Sequence, residues 1–205
     1  MRRINENEIE PLSVFVAEQF YYKEQMQLML KGIEPVKALE YTAAIFRWQL
    51  DFMNKHGDVF VNDGDVSGII TGLDSKKKSW RFILHIMLKA MALIYKMFTK
   101  EERKIIVKNV KAVNEVTSKD WFKQHCKGSS YYLALFAIGK DSRGTGLCRE
   151  MLEYLFEHVR DYKSIVLETH DKDNVPLYEH FGFELAEAKE AKDKSITEYR
   201  MIKRM

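Results

Sequence analysis

Residues 138–159 read IGKDSRGTGLCREMLEYLFEHV. Gly144 and Gly146 stand one residue apart, directly before Leu147, Met151, Leu152, Leu155 and Val159, which recur at helical spacing. A helix N-terminus presents unpaired N–H groups and the positive end of the helix dipole, and glycines let a ligand approach that backbone closely. The main chain from Arg143 through Thr145 to Cys148 is therefore a candidate phosphate cradle, although a glycine pair at a strand-to-helix turn is also ordinary turn chemistry. Two phosphate motifs do not apply. No Lys-Ser/Thr follows the glycines as in a Walker loop, and the third position after Gly146 is Arg149, which breaks G-x-G-x-x-G.

The elements that must position this turn are legible on both sides. YYLALFAI before it is a continuous apolar run suited to a central strand, and SIVLETH after the helix is another, so strand, crossover helix and strand form a βαβ unit with parallel strands. A short helix near Val175–His180, a turn at Gly182 and strands near Glu184–Ala188 and Ile196–Ile202 follow. Upstream, SVFVAEQFYYKEQMQLML and PVKALEYTAAIFRWQLDFMNKHG read as two helices, the second with Pro35 in its first turn and Gly57 as its stop. Strands near Val59–Val61 and Val66–Thr71 flank Asp63-Gly64, a hairpin signal in which both central residues take positive φ. From Trp80 to about His125 the pattern is helical again, and Thr99-Lys100-Glu101-Glu102 has the form of a capping box.

Past the second strand, LETHDKDNVPLYEHFGFEL places Asn174, Tyr178 and Phe181-Gly182-Phe183 in order. Together with RGTGLC this resembles the GNAT superfamily of N-acetyltransferases, whose pyrophosphate loop reads R/Q-x-x-G-x-G/A and whose later motif reads roughly N-x-x-x-Y-x-x-x-G-F. The resemblance runs over about Tyr131–Arg204, with support from the preceding hairpin. It implies an α/β (α+β) fold: a mixed central sheet of GNAT type with splayed parallel strands, N-terminal helices and a helical insertion between the third and fourth strands. The implied organisation is a single domain over 1–205, with the insertion at about 80–127 and an acetyl-CoA-binding core at about 131–204. By the same resemblance, the backbone of Arg143, Gly144, Thr145, Gly146, Leu147 and Cys148 would hold the coenzyme A pyrophosphate. Phe136, Ala137 and Ile138 would pair with the pantetheine arm like an extra strand, Asn174 would contact that arm or adjacent backbone, and Tyr178 would face the thioester sulfur. Two positions depart from the family pattern: Cys148 stands where Gly or Ala is preferred, and Lys140 where many members have proline.

Direct acyl transfer to an amine needs a neutral amine, a polarised carbonyl and a proton for the departing thiolate. A phenol, with a reference pKa of about 10, is protonated at neutral pH and suits Tyr178 as general acid. A backbone N–H near Ile138 would polarise the carbonyl. Glu168 and His170 share one face at the C-terminal end of their strand, where ligands of parallel sheets bind, and Glu168 is the favoured base; a solvated or salt-bridged strand end is the plainer alternative. Phe20, Tyr21, Tyr22 and Trp48 are candidates for an acceptor pocket, although aromatic residues at helical spacing also form cores. Adjacent His125 and Cys126 do not make a nucleophile pair, which needs spatial apposition.

With 205 residues and a net charge of +3, the composition suits one domain and calls for neither nucleic acid nor a membrane surface. Two cysteines without zinc-type spacing fit a reducing compartment, and the start has no apolar signal region, so a cytoplasmic protein is expected. The apolar stretch Trp80–Phe98 is interrupted by Arg81, His85, Lys89 and Lys96 and reads as a buried or partner-facing helix. Lys76-Lys77-Lys78 and Lys100–Lys104 read as solvated faces. The expected protein is an acetyl-CoA-dependent N-acetyltransferase without a metal, a monomer or homodimer acting on a small-molecule or peptide amine. Its rivals are a non-catalytic coenzyme-A-binding module and an interaction protein docking through Phe82–Phe98.

Overall fold

The computed structural model describes residues 1–77, 80–118 and 120–205, and within that range the side chains of 80–83 and 85–87 lie outside the description. Lys78 of the lysine run and the side chain of Phe82 are thus outside it. The described strands are β1 (Arg2–Arg3), β2 (Asp58–Val61), β3 (Gly68–Asp74), β4 (Ser130–Ile138), β5 (Ser164–Thr169), β6 (Glu184–Glu190) and β7 (Thr197–Arg204). They form one sheet in the order β1-β2-β3-β4-β5-β7-β6. Only β4 and β5 pair in parallel; the other neighbours are antiparallel. The helices are α1 (Ile9–Phe20), α2 (Glu24–Met29), α3 (Pro35–His56), α4 (Trp80–Met97), α5 (Lys100–Val116), α6 (Phe122–His125), α7 (Leu147–His158) and α8 (Asn174–His180). The mixed sheet, with helices between its first and second strands and between its third and fourth, has the expected architecture apart from the short edge strand β1 that precedes the helices.

Local chemistry explains several boundaries. Glu34 caps α3 by accepting from the N–H groups of Val36 and Lys37 at 3.0 and 2.9 Å, and Pro35 occupies the first turn. The capping box starts α5: Thr99 accepts from Glu102 N–H at 3.3 Å, and the Glu102 carboxylate accepts from Thr99 N–H at 2.7 Å. In α4, Leu93, Ile94 and Met97 pack inward while Leu84, Leu88, Met91 and Tyr95 are exposed. No helix among the described residues is long and apolar enough to cross a membrane.

Two local expectations are corrected. The first apolar run makes two helices rather than one, because the chain turns at Tyr21–Lys23, where Lys23 N–H donates to the Phe20 carbonyl at 2.9 Å. Phe20 then packs on Phe46 beneath the sheet, while Tyr21 joins the cluster of Tyr41, Phe98 and Ile106, and a straight helix would not divide adjacent aromatics between two cores. In the hairpin, Gly64 has φ +74° but Asp63 does not enter the positive region. A wider loop forms instead, spanned by Asn62, whose side-chain oxygen accepts from Ser67 and Gly68 N–H and whose amide donates to the Asp65 carbonyl. Consequently β3 begins at Gly68, not Val66.

A β-bulge in β4 organises the centre. Thr71 faces Leu135 and Gly72 faces Leu133, leaving Ala134 unmatched. Before the bulge, Tyr131 and Leu133 join Met151, Leu152 and Leu155 of α7; after it, Leu135 and Ala137 join Val16, Leu50 and Met53 of α1 and α3. The extra residue therefore reverses which face each side chain enters. Parallel pairing of β4 with β5 is confined to Ser130–Tyr132, opposite Ser164–Val166, although both strands continue. They part there, as splayed strands should.

Candidate active site

The glycine turn sits where β4 ends. Lys140–Ser142 form a single 3-10 turn, and Thr145 Oγ1 donates to the Ser142 carbonyl at 2.8 Å. Gly144 and Gly146 adopt φ +79° and +94°, and a Cβ at either would meet nothing within 4 Å. Glycine is thus required by backbone conformation rather than by crowding. Gly146 caps α7, whose ladder begins with Glu150 N–H donating to the Gly146 carbonyl at 3.1 Å. The N–H groups of Gly146, Leu147, Cys148 and Arg149 precede that ladder, at the positive end of the helix dipole. Lys140, Arg143 and Arg149 are exposed around it. Arg149 Nη2 lies 3.0 Å from His180 Nε2, and its guanidinium lies 5.5 Å from the Phe181 ring centre.

Between the turn and β5 lies Tyr178, buried on α8 with its ring edge-on to Phe183 at 5.5 Å. Burial, with a smaller contribution from the Asp171 charge, pushes its hydroxyl above the usual phenol range, so it stays protonated. Burial likewise raises the Cys148 thiol, which packs against the α7 cluster instead of serving as a thiolate. Asn174 opens α8, and its side-chain amide donates to Thr169 Oγ1 at 3.1 Å, tying the helix to the end of β5. Lys23 joins the same loop through Asp171 at 2.6 Å.

On the face away from α7, Glu168 is held at both oxygens. Trp121 Nε1–H donates to one at 2.6 Å, and the Tyr132 hydroxyl donates to the other at 2.5 Å. Burial, then the Glu168 charge, raises the Tyr132 hydroxyl far above its usual range, which keeps it a donor. His170 is also largely buried; its Nδ1 is 3.1 Å from the Thr197 carbonyl, and burial lowers its pKa. Past Tyr132, the β5-facing edge of β4 from Leu133 to Ile138 pairs with no strand among the described residues. That open edge includes Phe136, Ala137 and Ile138, whose other side pairs with β3.

A family model described as an acetyltransferase (GNAT) domain matches residues 93–205, more than half of the chain. This chain belongs to the GNAT acetyltransferase family. It is an acyltransferase, and the family draws its acyl group from acetyl-CoA. No curated protein matches it in sequence. Solved structures share the GNAT fold at low identity. A histone acetyltransferase HPA2 and related acetyltransferase from Corynebacterium glutamicum is 19% identical with a TM-score of 0.66, over 99% of this chain and 94% of that one. An N-acetyltransferase from Staphylococcus aureus is 16% identical with a TM-score of 0.60, over 98% of each chain. The Drosophila melanogaster polyamine N-acetyltransferase that forms N-acetylagmatine is 13% identical with a TM-score of 0.59, over 100% and 98%.

Within this GNAT chain the glycine turn follows the free edge of β4, Glu168 lies two residues past the last β4–β5 pair, and Asn174 is tied to the end of β5. Of the four aromatics considered for an acceptor pocket, Tyr22 lies beside the residue that opens the glycine turn and the other three sit elsewhere. Phe20 and Tyr21 are partly buried in separate clusters, and Tyr22 lies under Lys140, whose Nζ is 5.5 Å from its ring centre. Trp48 lines a groove with Glu6, Glu10, Arg47 and Lys89 at the opposite end of α1. Three neighbours of the site escaped sequence reasoning: Trp121, Tyr132 and Arg149. Arg149 had a local signal, a cation in the first turn of a helix where the dipole disfavours one. Trp121 had none, because its relation to Glu168 spans 47 positions.

Proposed function

We propose that the chain is one acetyltransferase domain that moves an acetyl group from acetyl-CoA to a primary amine in a ternary complex. The observation that carries this reading is the parting of β4 and β5 beside an open glycine turn, with the phenol of Tyr178 buried on the helix that follows β5. The N–H groups from Gly144 to Cys148 bind the pyrophosphate, with Arg149 adding charge, while the Arg143 N–H closes the preceding turn by donating to the Lys140 carbonyl at 3.3 Å. The free main-chain edge of Phe136, Ala137 and Ile138 takes the pantetheine arm as a strand would, and Asn174 holds the α8 entry against it. A main-chain N–H near Ile138 polarises the thioester carbonyl. Glu168 receives the amine proton, directly or through water, as the amine nitrogen forms its bond to the carbonyl carbon. Tyr178 donates its proton to the sulfur as the C–S bond breaks.

The acceptor is a small amine or a peptide amine. Support for this breadth comes from relatives of the same fold, named for polyamine, arylalkylamine and histone acetylation. The test combines calorimetric titration with acetyl-CoA and thiol detection of released CoA, using agmatine, phenethylamine and a lysine peptide as acceptors. Tyr178→Phe is expected to lower kcat about a hundredfold while leaving acetyl-CoA affinity within about twofold. A Tyr178→Phe enzyme with full turnover would exclude proton donation by this residue, and a folded wild type that binds no acetyl-CoA would overturn the whole reading.

A further inference from the structure

We infer that Trp121 and Tyr132 are positioning residues for Glu168, through which the residue leading into α6 and the strand β4 complete the acceptor side of the site. The inference rests on the reading that Glu168 receives the amine proton. A glutamate side chain has several rotatable bonds, and a single contact leaves it free to swing. Here each carboxylate oxygen takes a short hydrogen bond from a different element, one from β4 and one from the residue preceding α6. Glu168 lies two residues beyond Val166, the last β5 residue paired with β4, so the clamp closes where the strands open.

Trp121 is itself rigidly placed. It is 3% exposed and packs with Phe122, Val166 and Ile202. The Arg200 guanidinium lies 5.9 Å from its ring centre. Arg200 donates to Glu198 at 2.8 Å, to Glu187 at 2.6 Å and to the Val116 carbonyl at 2.7 Å, fastening the end of α5 to β7. Burying charged groups costs solvation that well-packed apolar side chains would avoid. A fold in need of stability alone gains little from a second, partly buried polar cluster beside this one, whereas a proton acceptor gains from a fixed direction.

The test uses the full chain with Trp121→Phe, Tyr132→Phe and Glu168→Gln, assayed with agmatine, phenethylamine and a lysine peptide. Each of the first two is expected to lower kcat about tenfold, and Glu168→Gln by more, with acetyl-CoA affinity unchanged within about twofold. A purely structural role would instead lower thermal stability and acetyl-CoA affinity together. An acceptor-independent readout is the indole N–H resonance of Trp121, assigned by its disappearance in Trp121→Phe. It is expected to shift and to exchange about tenfold faster in Glu168→Gln. Unchanged kcat in both Trp121→Phe and Tyr132→Phe, with Glu168→Gln impaired, overturns positioning while leaving the base reading intact. Full activity of Glu168→Gln overturns the base reading itself. If the wild type turns over none of the three amines, an indole signal indifferent to Glu168→Gln overturns the clamp.

Discussion

The two sides of the proposed site are assembled by contacts of different range. On that reading the donor side uses one βαβ unit and the helix after it: the main chain of the turn at 143–148 and of the β4 edge, with the side chain of Tyr178. The acceptor side uses side chains from distant segments. Glu168 is held from 47 and 36 positions away, and Arg200, whose guanidinium lies over the Trp121 ring, reaches Val116 across 84. A ligand bound by main-chain N–H groups requires a backbone shape, which glycines and a following helix encode locally. A carboxylate aimed by side chains needs the folded sheet before its partners meet.

The largest test of this contrast is Gly144→Val/Gly146→Val. Each valine must enter a positive-φ conformation that costs an L-residue about 1–2 kcal/mol, so acetyl-CoA affinity should fall about a hundredfold by calorimetry. The Trp121 indole resonance should stay unchanged, because the clamp lies on the other side; a change there would erase the distinction.

A smaller effect is expected from Arg149→Ala. This exposed cation should raise the acetyl-CoA Kd about threefold at low salt and less at high salt, as exposed charge interactions are weak and screened. Equal loss at all salt concentrations would mean that Arg149 acts through its packing on Phe181.

The smallest concerns pH. Burial lowers the His170 pKa, so the folded state resists protonation more than the unfolded chain, whose histidine titrates near about 6.5. As pH falls through that value the unfolded state binds the proton first and stability drops; above it the full stability is present. Thermal melts between pH 8 and 5 should show this decline, and His170→Gln should make it shallower. An equally steep decline in the variant would assign it to other groups.

Much of the fold was legible because local rules and tertiary demands agree. The apolar runs of β4 and β5, the stripe of α7, the Thr99–Glu102 capping box and Pro35 all carry short-range signals, and each forms the expected element. The break after Phe20 was not legible, because helical spacing continues through it. The strand at Arg2–Arg3 was equally hidden, since two polar residues gain strand geometry only by pairing with Phe60 and Val61. The bulge at Ala134 leaves no mark in the uniform run YYLALFAI, where every residue suits a strand in either register.

The sequence by itself determined the family, through its resemblance to the GNAT motifs, and the glycine turn with Asn174 and Tyr178 in order behind it, since these are set within a few turns of chain. Only the tertiary structure decided where β4 and β5 part, which aromatics enter the core and which donors hold Glu168. Those outcomes depend on strand register and on side chains brought together across the sheet, and no spacing along the chain encodes a contact that exists only after the chain has closed on itself.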